Sequence, residues 1–100
     1  MKFVNYVKYI GDQDKVAAFR SAHREYAQRL VSERNLILAG PLADGIGALF
    51  IYEAETRQEA EALWANDPFA KGGVLESYEL SNWQLLGVDH DLLQRGERLS

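Results

Sequence analysis

Apolar positions along the chain change their spacing from every second residue to every third or fourth and back, and these changes mark out the elements. Residues 2–10, KFVNYVKYI, are rich in aromatic and β-branched types and read as a strand. Gly11-Asp12 breaks it, and Asp12 or Asp14 can cap a following helix. From there to about Arg34 the pattern is helical, with Val16, Phe19, His23, Tyr26, Ala27 and Leu30 on one face. Asn35 can take the left-handed conformation that closes such a helix. LILAGPL (36–42) reads as a buried-type strand ended by Gly40-Pro41, and Asp44-Gly45 as a hairpin turn into a return strand over about 47–55. Thr56 and Glu59 form a capping box for a second helix that runs to about Asn66, with Ala60, Leu63 and Trp64 as its inner stripe. Asn66-Asp67-Pro68 stops that helix, because proline disfavours helix in the residue before it. Gly72-Gly73 leads into a last strand over about 74–86. Residues 88–100 read as a polar tail with one helical turn around Asp91–Arg95.

The order β-α-β-β-α-β, with short connections and right-handed crossovers, predicts an α+β, ferredoxin-like domain over residues 1–87. Its four-stranded antiparallel sheet carries both helices on one face. A solvated second face should be polar at every other position, and it is not. Phe3, Val7 and Tyr9 point one way in strand one while Val4, Tyr6 and Ile10 point the other. Ala48, Phe50 and Tyr52 likewise oppose Leu49 and Ile51. The helix-free face therefore needs a cover, either a second copy of the chain or the C-terminal tail. A homodimer through that face is the favoured expectation, given how polar the tail is.

Composition narrows the chemistry. The chain has 100 residues, 47% of them hydrophobic, enough for one packed domain. It has no cysteine, which removes disulfides, thiol nucleophiles and thiolate metal sites. Two distant histidines without ligand spacing predict no metal centre, and no cofactor fingerprint or phosphate loop is present. The net charge of −4, with the basic residues scattered, argues against nucleic acid. No apolar run reaches the ~20 residues of a membrane span, and no signal peptide is expected before the first strand. A cytoplasmic protein with a small-molecule partner is the default.

Two residues stand out. His23 sits in the middle of the apolar stripe of the first helix, so it should face the sheet. It reads equally as a hydrogen-bonded structural imidazole or as a general acid–base. Asp67 before Pro68 is ordinary turn chemistry, but two helices side by side would bring it within reach of the first helix. A carboxylate bonded to one imidazole nitrogen fixes the tautomer and stabilises the imidazolium. No nucleophile accompanies the pair, so proton transfer fits better than covalent catalysis. Gly40 and Pro41 suit a strand end that a ligand approaches closely. Tyr6, Tyr26 and Tyr52 can bond a ligand oxygen, although aromatics in such positions are commonly core. Trp64 and Trp83 read as packing residues, Asp44 as a turn residue and His90 as solvated.

His23 followed by Tyr26 and Leu30, then Leu38-Ala39-Gly40-Pro41-Leu42, then Glu59-Ala60 and Asp67-Pro68-Phe69, resembles the YCII-related family from strand one to about Trp83. The resemblance implies a ferredoxin-like subunit of a dimeric α+β barrel, an active-site pair at His23 and Asp67, and a pocket lined by Gly40 and Pro41. Asn35 departs from the family pattern, where glycine is expected, but tolerates the same backbone. The reactions implied move protons on small cyclic oxygenated substrates without a cofactor, as a lyase of dehydrochlorinase type or an isomerase. Two alternatives stand beside that expectation: a non-catalytic ligand-binding or accessory dimer, and a cofactor-free monooxygenase.

Overall fold

The alternation in residues 2–10 becomes β1 (Lys2–Tyr9), in which Phe3, Asn5 and Val7 are buried and Lys8 is exposed. In the computed structural model, which describes residues 1–95, seven elements follow β1 before the last helix. They are α1 (Gln13–Ala18), α2 (Arg20–Ser32), β2 (Leu36–Pro41), β3 (Gly47–Glu53), α3 (Arg57–Ala65), α4 (Pro68–Lys71) and β4 (Leu75–Trp83). The chain then forms α5 (His90–Arg95). The last five residues of the expected tail, 96–100, lie outside the described residues.

The strands order β2-β3-β1-β4, every neighbour antiparallel, which is the ferredoxin-like arrangement. Phe3, Val7, Phe50 and Tyr52 of the sheet pack with Tyr26, Leu30, Ala60 and Trp64 of the helices in one core. A smaller cluster of Val16, Phe69 and Val74 sits at the end of the sheet, with Tyr9 and Phe19 against it. Asn5 is fully buried at the centre of β1, and neither amide atom meets hydrogen-bond geometry. Its amide nevertheless lies near enough to the Tyr52 phenol to favour that group's ionisation. Among the described residues no helix is long and apolar enough to cross a membrane.

Three local details differ from the sequence expectation. The first helix is interrupted at Phe19, whose N–H bonds to Val16 O at 3.1 Å, three residues back rather than four. That tight turn lets Val16 and Phe19 both join the small cluster. The left-handed residue after α2 is Arg34 (φ 66°), not Asn35. Arg34 N–H bonds to Val31 O and Asn35 N–H to Leu30 O, the paired bonds of a Schellman ending. Asn35 has a different task, donating from Nδ2 to Glu53 O and accepting from Glu53 N–H, which ties the helix end to β3. Finally, Asp67-Pro68 ends one helix and also starts another: α4 opens with Pro68 at its first position and Asp67 as its cap. The capping box at Thr56 forms as expected from one side, with Glu59 N–H donating to Thr56 Oγ1 at 3.1 Å. Glu59 reaches back one residue further than expected, to Glu55 N–H.

The helix-free face is covered in part by the tail. Val88, Leu92 and Leu93 line a groove of about 430 Å³ with Ile37, Leu38 and Ile51. Ile51 is only 3% exposed although it points away from the helices. Leu38, Leu49, Trp83 and the tail leucines remain substantially exposed.

Two predictions follow from these details. Arg34 holds a backbone conformation that costs a non-glycine residue about 1 kcal/mol or more, partly offset by the greater freedom glycine has when unfolded. Arg34→Gly should therefore raise stability by about 0.5–1 kcal/mol in urea denaturation. Burial pushes the Tyr52 phenol far above its ordinary value of 10.0. A folded-state value above the unfolded one means that stability is kept below the unfolded value and lost as pH rises through it. Stability should thus fall from about pH 10 upward, with a shallower slope in Tyr52→Phe, as read by denaturation midpoints across that range.

Candidate active site

Asp67 lies at the junction of α3 and α4 because Pro68 cannot continue the preceding helix but is well suited to begin the next. As the cap of α4, its Oδ1 accepts from Phe69 N–H at 2.9 Å. The same carboxylate faces α2, where His23 Nδ1 lies 2.9 Å from Oδ1 and 3.0 Å from Oδ2. The pair is sheltered, with side-chain exposures of 13% for His23 and 5% for Asp67. A carboxylate can only accept, so in the neutral imidazole the proton sits on Nδ1 and the lone pair on Nε2. The Phe69 ring stacks on the imidazole at 4.1 Å between centroids and 15° between planes, and Phe50 meets it edge-on at 5.5 Å. The ring is therefore fixed in plane by the carboxylate and in tilt by two aromatic neighbours.

His23 borders an open cleft of about 480 Å³, which Gly40, Pro41, Phe50 and Phe69 also line. A Cβ built on Gly40 would meet open space, so the backbone there is accessible to a ligand. The structure thus brings together His23, Asp67, Gly40 and Pro41. It does not bring the three tyrosines to them. Tyr6 lies on the helix-free side of β1, its ring 6.0 Å from Lys8 Nζ. Tyr26 donates its O–H to Leu63 O at 2.6 Å inside the core. Tyr52, 1% exposed, is wholly core. The tyrosine in the cleft is Tyr9, joined by Arg20 and Arg24 of α2. Tyr9 was marked by the strand alternation that puts it on the helix side, opposite Tyr6. The arginines precede and follow His23 at positions that border the same face.

Burial raises the Tyr9 phenol above its usual value, with the Arg20 charge acting against that shift and Asp67 adding to it. Burial likewise raises Tyr26, with the Asp67 charge adding to the effect. Both phenols are thus held as neutral hydrogen-bond donors at physiological pH. Among the described residues no group of three or more His, Cys, Asp or Glu side chains is placed to hold a metal ion.

Fold and site together define an α+β domain of ferredoxin-like type with a His–Asp pair whose imidazole borders a cleft and whose carboxylate is buried behind it. The chain belongs to the YCII-related domain family, whose sequence model matches residues 1–84. Uncharacterised protein YjpA of Bacillus subtilis is 31% identical over 65 residues, which span 65% of this chain and 75% of that one. The structure is similar to 5-chloro-2-hydroxyhydroquinone dehydrochlorinase of Burkholderia phenoliruptrix, solved in complex with 2,5-dihydroxybenzoquinone. That match has a TM-score of 0.74 and 26% identity, covering 84% of this chain and 94% of the other. An antibiotic biosynthesis monooxygenase shares the fold at a TM-score of 0.56 and 14% identity, over 87% of this chain and all of that one.

Asp67 serves two donors, so its variants should separate the roles. Asp67→Ala leaves Phe69 N–H and His23 Nδ1–H without their acceptor and should cost about 2–3 kcal/mol in chemical denaturation. Asp67→Asn keeps an acceptor oxygen for Phe69 N–H and should cost about 1 kcal/mol or less. Two-bond ¹⁵N correlation spectra should show the Nδ1–H tautomer of His23 in the native protein; the opposite tautomer would break the assignment.

Proposed function

We propose that this chain is a cytoplasmic, cofactor-independent enzyme of lyase or isomerase type acting on a small cyclic oxygenated substrate. The observation that carries the reading is the imidazole whose Nδ1 is held by a buried carboxylate while its other nitrogen, Nε2, has no hydrogen-bond partner among the described residues and His23 lines the cleft. In this reading Nε2 takes a proton from the ring or a ring hydroxyl. Asp67 stabilises the imidazolium that results, and the proton is then returned to a different atom or lost to solvent. Loss of the proton together with a halide would make the reaction a dehydrohalogenation; return to another carbon would make it an isomerisation. Gly40 and Pro41 offer backbone at the strand end, and Tyr9 offers a neutral phenol to a substrate oxygen. The likeness to a dehydrochlorinase at 26% identity supports this chemistry over the bare fold.

The exposed apolar positions left beside the tail, Leu38, Leu49 and Trp83, support the further proposal that two copies pair through the helix-free face. A non-catalytic binding protein is the rival reading, because a buried His–Asp pair also fastens α2 to α4. One comparison separates them. With 5-chloro-2-hydroxyhydroquinone as substrate and chloride release as readout, His23→Ala should lose ~10²–10⁴-fold in kcat. Its circular dichroism should match the native protein's, and sedimentation should give both proteins twice the 11.3 kDa chain mass. Turnover that survives the change removes the acid–base role, and a monomer removes the dimer.

A further inference from the structure

With the Asp67 carboxylate buried behind His23, the charged side chains that line the cleft are of one sign. Arg20 and Arg24 line it on either side of His23, and no Asp or Glu lines it with them. Neither guanidinium makes a salt bridge among the described residues, whereas Arg29 and Arg57 each lie near a glutamate four residues on. Arg20 also borders an adjoining recess that includes Asp14 and Asp44, but neither carboxylate comes within ion-pair distance of it.

This placement is unfavourable to the helix itself. Arg20 opens α2, whose first turn contains no acidic residue to pair with it. Arg24 follows at four-residue spacing, where like charges repel by a few tenths of a kcal/mol. The chain as a whole carries −4, so two arginines that line the cleft without an ion pair among the described residues are a local reversal of its charge. An anion in the cleft would relieve that repulsion, with charge-assisted hydrogen bonds from the two guanidiniums.

From this geometry we propose that the cleft selects its substrate as an organic anion, with Arg20 and Arg24 as the specificity-determining residues on either side of His23. The anionic group is a ring oxygen ionised at neutral pH or a carboxylate on the ring. The inference rests on the cleft being a substrate site and extends it from cyclic oxygenated compounds to acidic ones. The neutral Tyr9 phenol would donate to the same ligand from the strand side. The arginines hold the charge in place, and the imidazole is left free to move the proton.

Calorimetric titration of matched pairs reads the preference directly. 2,5-Dihydroxybenzoquinone, an acidic enol anionic at neutral pH, is compared with neutral 2,5-dimethoxybenzoquinone, and benzoate with benzamide. The first pair tests an ionised ring oxygen and the second a carboxylate. The native protein should prefer the anion of at least one pair by roughly tenfold or more at low salt, with the preference shrinking as salt is added. Arg20→Gln and Arg24→Gln should each weaken the anion about tenfold without changing the neutral partner, and the double variant should show no preference. Both sites are exposed helix positions where glutamine is well accepted, so the fold should be retained. Absence of binding by both anions, equal binding of charged and neutral partners, or an undiminished preference in the double variant would overturn the inference. His23→Ala should keep the preference for the anion. If that variant also kept its turnover, the acid–base role would fall while the anion selectivity stood.

Discussion

The buried carboxylate of Asp67 is the constraint on which the rest of the site depends. A charge with that little exposure is stable only when its lone pairs are occupied, and here two donors from different elements occupy them. One is the backbone N–H that opens α4. The other is the His23 ring on α2, which is pulled toward the helix junction and held in one tautomer. Phe69, fixed by the same short helix, then supplies the surface on which the imidazole lies. Start of a helix, angle of a ring and identity of the free nitrogen all follow from one group in one place.

The sheet provides the opposite wall. Gly40 and Pro41 end the edge strand β2, and Phe50 on β3 meets the imidazole nearly at right angles. A site built in this way combines an apolar surface suited to a flat ring with a single imidazole directed by a carboxylate. The arginine pair adds positive charge to the lining. These parts come from different levels of the fold: strand alternation, helix capping and the packing of two helices on one face.

Much of this was legible in the chain. His23 in the stripe Val16, Phe19, Tyr26, Ala27, Leu30 should face inward, and two helices side by side could bring Asp67 within its reach. The parts that were not legible have physical reasons. The break at Phe19 has no proline or glycine to announce it, because it arises from tertiary packing into the small cluster around Val16 and Phe69. Asn35 looked like the helix terminator by residue preference, but the phase of α2 places the left-handed position one residue earlier, on Arg34. Asp-Pro was read as a stop signal, although the same two residues are the preferred cap and first position of a new helix. Among the tyrosines, alternation along β1 already separated Tyr6 from Tyr9, and following it through would have put Tyr9 at the cleft. The buried fates of Tyr26 and Tyr52 required knowing which partner each hydroxyl and ring would find.

The edges of the sheet carry a consequence of their own. β2 and β4 form its two rims, where unsatisfied backbone groups could recruit a stray strand. On β2 the pairing is irregular between Leu36 and Leu38, and Pro41 has no amide hydrogen to offer. On β4, Glu76 and Glu79 place negative charge along the rim. Lateral extension into a continuous ribbon is thereby discouraged on both sides, so the protein can keep apolar side chains on a broad sheet surface without becoming a seed for fibrils.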